Sequence, residues 1–552
     1  MNNFEIVIFL MTILIVLSAF TDKIKIPYPI VLVIIGLIIG FVPFLPNLRL
    51  DPNIVFLIFL PPLLYDAAFK TSWLDFKKSI RPISTLAITL VFFTTVIVAV
   101  AAHYLIPGFS WPISFVLGAI VSPPDAVAAT SIIKGLGLNK KVITIIEGES
   151  LVNDASALIA YRYALAATLS GSFILWKAGL QFILVCAGGV VAGLVVGYLL
   201  VFAHKKIKDN AIVETSLSLL TPYLAYLLAE QLHVSGILAV VTSGILIGWH
   251  AREIFSFQTR LQTTIIWDTI IFLLNGIVFI LIGLQLPEIV TNLNSSTLFQ
   301  LIGYGLIISI VTIVIRIVWV FAGAYHQRIF NRKKTDDDEN DEAVNWKNVL
   351  IVAWTGTRGV VSLATALALP LTLNNGAAFP KRHSILLLAF TVILVTLVIQ
   401  GLTLPLLIKL LKIKSEKPLL QKEENELNLL LAESSLHFIN NDFKDDVDEN
   451  MLERIKKQYE FNYNILANKK GDYRQRKESD LQLNSMSQFL KTQMEIVKFQ
   501  RELLIKFQNE DRFSEEALAK AERELDIEEL RLNSMMQKTE SSVSVVNNTT
   551  SP

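Results

Sequence analysis

Two acids, an amide and a hydroxyl occur together in the segment GESLVND, residues 148–154, within an otherwise apolar stretch of the chain. At about 100° per residue of an α-helix, Asn153, Ser150 and Asp154 lie about 40°, 100° and 140° from Glu149, so the four polar groups share one face. If this helix crosses a membrane, each acid near the bilayer centre costs about 2.5–3.5 kcal/mol on the most lenient insertion scale. Such a face is typical of a buried site for a proton or a cation.

A further acid, Asp125, directly follows two prolines in the apolar run SFVLGAIVSPPDAVAATSII. Pro123 and Pro124 lack a backbone N–H and clash with the preceding turn, so we predict that the helix breaks there and leaves carbonyl groups without helical partners. In hydrocarbon, such a break is tolerated only where protein or water lines it. Asp125 would then lie beside free carbonyl oxygens at the start of a second half-helix.

The run VLIVAWTGTRGVVSLATALALP contains Gly356 and Gly359 on either side of Arg358. This pattern indicates a second interrupted helix, although glycine is also common in ordinary membrane helices. We predict that Arg358 pairs with Glu149 and braces two helices. Asp125 and the acid at position 154 would then bind a proton or a cation, because no other basic residue in mid-span is left to neutralise both.

Two other acids have open assignments. Asp66 in LPPLLYDAAF and Asp268 in WDTIIFLLNG either line an ion path or lie near a membrane face. Arg162 and Arg316 are interpreted as snorkelling or bracing residues. The single cysteine, Cys186, excludes a disulfide or a cysteine metal site within one chain.

The elements that must hold these residues are transmembrane helices. The chain has 552 residues, 53% hydrophobic and 18% charged, and long apolar runs separated by short polar links recur up to about residue 410. Each run is near the roughly 20 residues that a helix needs to cross a bilayer. We predict thirteen crossings, at 4–21, 27–45, 54–69, 82–106, 112–133, 143–169, 174–203, 212–231, 234–250, 264–286, 299–325, 348–370 and 384–410. The predicted fold is an all-α polytopic membrane protein.

The order of the runs predicts an internal repeat. If runs 1–6 and 8–13 are two six-helix halves joined by run 7, the two interrupted runs occupy corresponding places. The halves would be inverted, because an odd number of helices separates them. Matched interruptions of this kind indicate a secondary transporter with its site near the bilayer midplane.

The polar links predict the orientation of the chain in the membrane, and the composition after about residue 410 predicts a separate tail. The links after odd-numbered runs hold most of the lysine and arginine, so we predict the N-terminus outside and the C-terminus in the cytoplasm. The first run has no basic n-region and no small-residue cleavage site, so we interpret it as a retained helix and not as a signal peptide. We divide the chain into a transmembrane domain at 1–410, a cytoplasmic helical tail at 411–540, with regulation as one alternative role, and a disordered end at 541–552.

Three motifs in this order carry a family resemblance: GESLVND at 148–154, the pair Pro124-Asp125, and GTRG at 356–359. They resemble the cation:proton antiporter family that includes bacterial NhaP-type and animal sodium/proton exchangers, over roughly residues 5–410. The resemblance implies thirteen helices, with a core bundle formed by runs 4–6 and 11–13 and two crossed broken helices. It also implies a scaffold, runs 1–3 and 8–10, that carries a homodimer contact.

The resemblance implies roles for single residues. Asp154 matches the carboxylate that binds Na⁺ or H⁺, Asn153 the asparagine of electroneutral members, and Asp125 the aspartate of the broken helix. Glu149 matches the acid that pairs with the arginine, here Arg358.

The same resemblance bears on two further positions. Ser150 falls on a position that contributes to the site in similar proteins. Some relatives carry a hydroxyl residue where this chain has Pro124. Coordination from that position is therefore expected only through a backbone carbonyl.

Together these features predict a secondary active antiporter in the cell membrane. It would exchange Na⁺, or Li⁺ or K⁺, for H⁺ without net charge movement, by alternating access around Asp154 and with no cofactor. A K⁺/H⁺ antiporter of the same fold and a cation channel are the alternatives, but a channel would need a continuous filter and no filter-like segment recurs. We predict no enzyme, because no histidine in mid-span lies beside Ser122 or Ser150, and no nucleic-acid partner.

Overall fold

A computed structural model describes most of the first 442 residues and scattered positions after them. The chain divides into two compact units, Met1–Glu416 and Lys417–Pro552, each described here by itself. The described residues are 3–21, 28–41, 52–125, 129–130, 133, 138–170, 175–207, 210–291, 295–330, 345–373, 376–413, 417–442, 452–453, 456–457, 459–460, 463, 490–491, 493–500, 502, 525 and 527–536.

The first unit consists of helices. They are α1 Asn3–Thr21, α2 Tyr28–Gly40, α3 Pro52–Lys70, α4 Trp73–Lys78, α5 Ile80–Ser84, α6 Val91–Leu105, α7 Trp111–Val121, α8 Lys140–Ser170, α9 Leu175–Lys206, α10 Ala211–Gln231, α11 Gly236–Ile254, α12 Phe257–Thr291, α13 Ser295–Phe330, α14 Trp346–Trp354, α15 Val360–Leu367 and α16 Arg382–Leu410. A π-helical turn, Thr85–Leu90, joins α5 to α6. Apart from one bridge between Thr372 and Ala378, the described part of the chain contains no β-structure. The predicted all-α class is confirmed.

Seven helical segments are long and apolar enough to cross a membrane, among the residues that the structure describes. They are Ile80–Leu105, Gly179–Lys206, Ala211–Gln231, Gly236–Ile254, Gln258–Pro287, Ser296–Tyr325 and Arg382–Leu410. Shorter apolar stretches occur in α1, α2 and α7. Although α8 has 31 residues, its polar face keeps it outside this set. The chain is thus a multi-pass membrane protein, while the count of thirteen crossings and the inverted repeats stay predictions.

The helices pack most densely within two groups. In the first group, α2 packs on α12, and α11 packs on α3, α9 and α10. In the second group, α7 packs between α6 and α8, and α13 packs on α14 and α16. Contacts between the two groups are sparser and involve mainly α3, α8, α12, α15 and α16. This arrangement places α8 and the interrupted segments at the boundary between the groups.

Glycines allow the closest helix pairs to form. A Cβ atom on Gly36 of α2 would lie 2.1 Å from the carbonyl oxygen of Ile280 on α12. In the same way, a Cβ atom on Gly118 of α7 would lie 2.4 Å from the carbonyl oxygen of Thr95 on α6. Membrane helices lack a hydrophobic drive to associate, so close backbone contact through small residues holds such pairs together.

The second unit begins with α17, Lys417–His437, which a π-helical turn, Phe438–Asp442, follows directly. Further along, Leu490, Val497 and Leu532 are buried against one another. The second unit begins at Lys417, and α16 ends at Leu410. The predicted division into a transmembrane domain and a helical tail at 410 stays a prediction. The predicted disordered end, residues 541–552, lies outside the described residues.

Candidate ion-binding site

The two interrupted segments meet each other. Helix α7 ends at Val121, and residues 122–125 are not helical. Helix α14 ends at Trp354, and α15 begins at Val360. The backbone N–H of Asp125 donates to the carbonyl oxygen of Thr357 at 2.6 Å, and the hydroxyl of Thr357 donates to the carbonyl oxygen of Asp125 at 2.9 Å. Each break therefore satisfies backbone groups that the other leaves free.

The Asp125 carboxylate lies against the start of α15. Its Oδ2 atom accepts a hydrogen bond from the backbone N–H of Val360 at 3.3 Å. Gly359 makes this approach possible, because a Cβ atom there would lie 1.7 Å from the same oxygen. A carboxylate at a helix N-terminus is stabilised by the free N–H groups of the first turn. Gly359 thus leaves the space in which the Asp125 carboxylate lies against the start of α15.

Arg358 does not pair with Glu149, and this prediction was wrong. The Arg358 guanidinium donates instead to the carbonyl oxygen of Val121 at 3.1 Å and to that of Gly356. Its backbone N–H donates to the hydroxyl of Thr396 at 3.1 Å. Arg358 therefore satisfies a carbonyl at the end of α7 that the Pro–Pro break would leave without a partner.

The partner of Glu149 is Arg316 on α13. Arg316 Nη1 is 2.6 Å from Glu149 Oε1, Arg316 Nη2 is 2.8 Å from Oε2, and both side chains are 2% exposed. The Arg316 Nη2 atom also donates to the carbonyl oxygen of Val352 at 3.1 Å. Gly356 provides the space for this side chain, because a Cβ atom there would lie 2.3 Å from Arg316 Cδ. The brace that the sequence predicts thus exists with a different arginine.

The polar face of α8 points toward the break after α7. Asn153 is fully buried, and its Nδ2 atom donates to the carbonyl oxygen of Pro124 at 2.8 Å. Its Oδ1 atom has no hydrogen-bond partner among the described residues. Asp154, the next residue, is buried with 6% exposure. The chain thus brings Asn153, Asp154 and the proline carbonyl together, although 29 residues separate Asn153 from Pro124.

A cavity of about 510 Å³ lies beside this face. Asp154, Asp125 and Ser150 line it, and so do Asp66 and Asp268, for which the sequence offered either an ion path or a membrane face. Pro123, Pro124 and Gly359 line it as well, whereas Asn153, Glu149, Arg358 and Gly356 do not appear on its wall. Most of the predicted polar residues therefore share one compartment, and Asn153, Glu149 and Arg358 are not part of its wall.

Residues that the sequence analysis missed also line the cavity. They are Lys70, Glu147, Thr130, Asn275 and Ser362. Two of them follow a helical spacing that could have been noticed: Lys70 is four residues after Asp66, and Asn275 is seven residues after Asp268. Lys70 is the one basic side chain among the described lining residues, against five acids: Asp66, Asp125, Glu147, Asp154 and Asp268.

The exposure of its lining residues shows where the cavity opens. The Asp268 side chain is 60% exposed and the Lys70 side chain 44%, whereas Asp66, Asn275 and Asp154 are buried. The opening therefore lies at the C-terminal end of α3 and in the first half of α12. Carboxylate, hydroxyl, amide and carbonyl oxygens are the ligands that hard cations prefer. The cavity combines such oxygens with a surplus of negative charge and has access from one side.

Similar proteins place this architecture in a family. The family described as "Sodium/hydrogen exchanger, transmembrane" matches residues 8–410. The chain is 34% identical over 397 residues to a "Sodium, potassium, lithium and rubidium/H(+) antiporter" of Bacillus pumilus, covering 69% of this chain and 58% of that protein. It is 34% identical to the "Low-affinity Na(+)/H(+) antiporter NhaS1" of Synechocystis, covering 71% of each chain.

A solved structure shows the same fold. The sodium proton antiporter MjNhaP1 from Methanocaldococcus jannaschii at pH 8 superposes with a TM-score of 0.58 at 20% identity, covering 74% of this chain and 98% of that one. The Bacillus pumilus protein and a Bacillus subtilis relative are longer proteins, of which the match spans 58% and 62%. On the family match and the shared fold together, the chain belongs to the transmembrane sodium/hydrogen exchanger family.

Proposed function

We propose that this protein is a secondary active antiporter that exchanges Na⁺ for H⁺ across the cell membrane, one for one. The observation that carries the proposal is the meeting of two interrupted helices beside a cavity that contains Asp154 and Asp125. Family membership and the relatives named as Na⁺/H⁺ antiporters support it. We assign no catalysis of covalent chemistry and no cofactor to the site.

Asp154 is the residue to which we assign exchange. It is buried on α8, it lines the cavity, and it forms no ion pair among the described residues, in contrast to Glu149. A charged carboxylate in a low-dielectric cavity is costly unless a positive charge neutralises it. A proton and a metal cation can each do so, but one carboxylate does not hold both. Competition between the two at one group is the physical basis of exchange.

The cation would be held by oxygen atoms around Asp154. Ser150 offers a hydroxyl, and Asp125 offers a second carboxylate that is already anchored to Val360. The free Oδ1 atom of Asn153 is a further candidate ligand, because the Nδ2 atom of that residue is held by Pro124. With Asn153 neutral, one carboxylate exchanges one proton for one monovalent cation, so no net charge moves.

Alternating access would occur between the two groups of helices. The cavity opens at one end, near Lys70, which lies next to the basic link after α3. Toward the other end of α8, Arg162 Nη2 is 2.9 Å from Glu230 Oε1 on α10, so an ion pair joins the groups there. With the N-terminus outside, this arrangement is open to the cytoplasm and closed to the exterior. The first group would carry the homodimer contact and stay fixed while the second moves.

The cation other than H⁺ is assigned as Na⁺, with Li⁺ and K⁺ as further substrates. Relatives are named both for Na⁺ alone and for Na⁺, K⁺, Li⁺ and Rb⁺, so a K⁺/H⁺ antiporter is the second candidate within this fold. A hard monovalent cation fits the oxygen ligands of the cavity in either case.

The test is a pH-gradient dequenching assay in proteoliposomes, with Na⁺, Li⁺, K⁺ or choline added in turn and the membrane potential clamped. We expect Na⁺ to collapse the gradient in the wild type, choline to have no effect, and Asp154→Asn to abolish the response at normal yield. Glu253→Gln is the matched control, since Glu253 is exposed and lies outside the cavity. Cation-driven proton movement in Asp154→Asn would refute the assignment, and single-channel currents in the wild type would establish a channel instead.

A further inference from the structure

Lys70 lies between two carboxylates at the mouth of the cavity. Its Nζ atom is 2.8 Å from Asp66 Oδ1 and 2.7 Å from Asp268 Oδ1. It also donates to Asp66 Oδ2 at 2.9 Å. The two acids come from different helices, α3 and α12, and converge on one unit of positive charge. An alkali cation has the same charge as this ammonium group and takes the same oxygen ligands.

This ammonium group is able to leave. The Lys70 side chain is 44% exposed and the Asp268 side chain 60%, so water competes for both groups. The exposed Lys70–Asp268 pair is weak, because solvent screens it and the long lysine side chain gains freedom when it is released. Lysine is also a flexible, strongly hydrated point charge, in contrast to the rigid fork of arginine.

Unpartnered oxygens continue inward from this position. Asn275 lies on the same face of α12 as Asp268, because seven residues make nearly two full turns. It is 5% exposed, lines the cavity, and its Oδ1 atom has no hydrogen-bond partner among the described residues. The buried hydroxyl of Ser362, on α15, lines the same cavity and has no partner in that part of the chain either. These oxygens are therefore available to a cation that loses water at the mouth and enters the same cavity.

We propose that the Asp66 and Asp268 carboxylates form a second site for a monovalent cation, the outer site, which the Lys70 ammonium fills until Na⁺ or a similar cation displaces it. This inference rests on the antiport function proposed above and concerns the cation before it reaches Asp154. Lys70 acts as a tethered competitor of the cation. It therefore sets the cation concentration at which the site at Asp154 begins to fill.

A brace between α3 and α12 is the competing explanation for the same contacts. A brace would hold the helices together whether or not a cation is present, and its loss would lower the yield without changing the affinity for Na⁺. A tethered competitor would give the opposite result. Removing its charge would leave both helices folded and would lower the Na⁺ concentration needed for half-maximal transport.

The first experiment measures that concentration for Lys70→Met in proteoliposomes. Removing one positive charge from a water-lined cavity is expected to lower it by about three- to ten-fold. Lys70→Arg keeps the charge and is expected to stay within about two-fold of the wild type. Lys77→Met is the matched control, since Lys77 is exposed on α4 and does not line the cavity. An unchanged or higher half-saturating concentration in Lys70→Met would overturn the proposal.

The second experiment does not depend on transport. Lys70 is labelled with a trace of an amine-acylating reagent in the Asp154→Asn protein, and its labelling is measured by mass spectrometry relative to Lys77. We expect NaCl to raise Lys70 labelling roughly three-fold or more over choline chloride at the same ionic strength, because bound Na⁺ releases the ammonium by mass action. Equal labelling in the two salts would overturn the outer site.

These two readouts separate the inference from the proposed function. If the wild type fails to exchange Na⁺ for H⁺ but Na⁺ still raises Lys70 labelling, the proposed function fails and the outer site stands. If exchange occurs and depends on Asp154, but labelling is the same in both salts, the function stands and the outer site fails.

Discussion

The buried ion pair between Glu149 and Arg316 allows the sharpest test of the site's architecture. It is bidentate, with distances of 2.6 and 2.8 Å, and both side chains are 2% exposed. Removing one member of such a pair leaves the other as an uncompensated buried charge, which costs about 3–5 kcal/mol. Arg316→Met also removes the hydrogen bond to Val352, worth about 1 kcal/mol.

We therefore expect Glu149→Gln and Arg316→Met each to lower the thermal unfolding midpoint in detergent by about 3–6 °C, taking about 1 °C per kcal/mol for a chain of this size. In the double variant no uncompensated charge is left. Its loss of stability is therefore expected to be smaller than the sum of the two single losses by at least about 1.5 kcal/mol. The half-saturating Na⁺ concentration of any variant that folds is expected to stay unchanged, because neither residue lines the cavity.

The matched comparison is a second pair of variants, in which Arg358 is substituted instead of Arg316. Glu149→Gln combined with Arg358→Met is expected to show a weaker coupling than the Arg316 pair, because the Arg358 guanidinium donates to carbonyl oxygens and not to Glu149. Fluorescence-detected thermal unfolding of all five variants gives both couplings. A larger coupling for Arg358 than for Arg316, or additivity in the Arg316 pair, would contradict the reasoning.

Three further predictions concern single groups. Gly359→Ala is expected to abolish transport with little loss of yield, because a Cβ atom would lie 1.7 Å from the nearby carboxylate, whereas Gly303→Ala, with no atom within 4 Å, is expected to transport normally; equal proteoliposome rates would contradict this. Asn153→Asp replaces an amide that donates to the carbonyl oxygen of Pro124 at 2.8 Å, and it is expected to make exchange sensitive to the membrane potential. Exchange is measured with and without a potential clamp, and equal rates in the two cases would refute this prediction. The Lys140 ammonium, 2.8 Å away, lowers the pKa of Asp75, so this pair stabilises the fold above the unfolded pKa of about 3.9 and loses that effect as the pH falls. Asp75→Asn is expected to lower the melting midpoint at pH 7 by an amount equivalent to less than about 1 kcal/mol and to have a smaller effect near pH 3. A larger effect at pH 3 than at pH 7 would contradict this assignment.

The helices and their interruptions follow from local chemistry. Hydrophobic runs predict the apolar helices, because a bilayer leaves few alternatives for the backbone. The non-helical residues 122–125 fall where Pro123 and Pro124 remove donors, and residues 355–359 fall around Gly356 and Gly359. In these cases a few neighbouring residues decide the conformation, so the sequence alone is informative.

The pairing of distant charges could not be read in the same way. Arg316 and Arg358 both occur within apolar runs, and nothing near either one states which of them reaches Glu149, 167 residues from Arg316. The choice depends on the space left by Gly356 and on the carbonyl of Val121, which attracts Arg358. Lys70 shows the same limit, because its contact with Asp66 follows a helical spacing but its contact with Asp268 spans 198 residues.

The mutual hydrogen bonds between Asp125 and Thr357 have a consequence for biosynthesis. These two residues lie 232 positions apart, so the ribosome completes the first broken segment long before its partner is made. Until then, the amide and carbonyl groups of Asp125 must be sheltered by the insertion machinery or by water, because lipid cannot satisfy them. Cellular quality control therefore meets an unfinished first half throughout translation of the middle of the chain. A fragment ending at residue 344 should be degraded when made alone and rescued when residues 345–552 are expressed with it; equal lifetimes in both cases would show that the first half matures unaided.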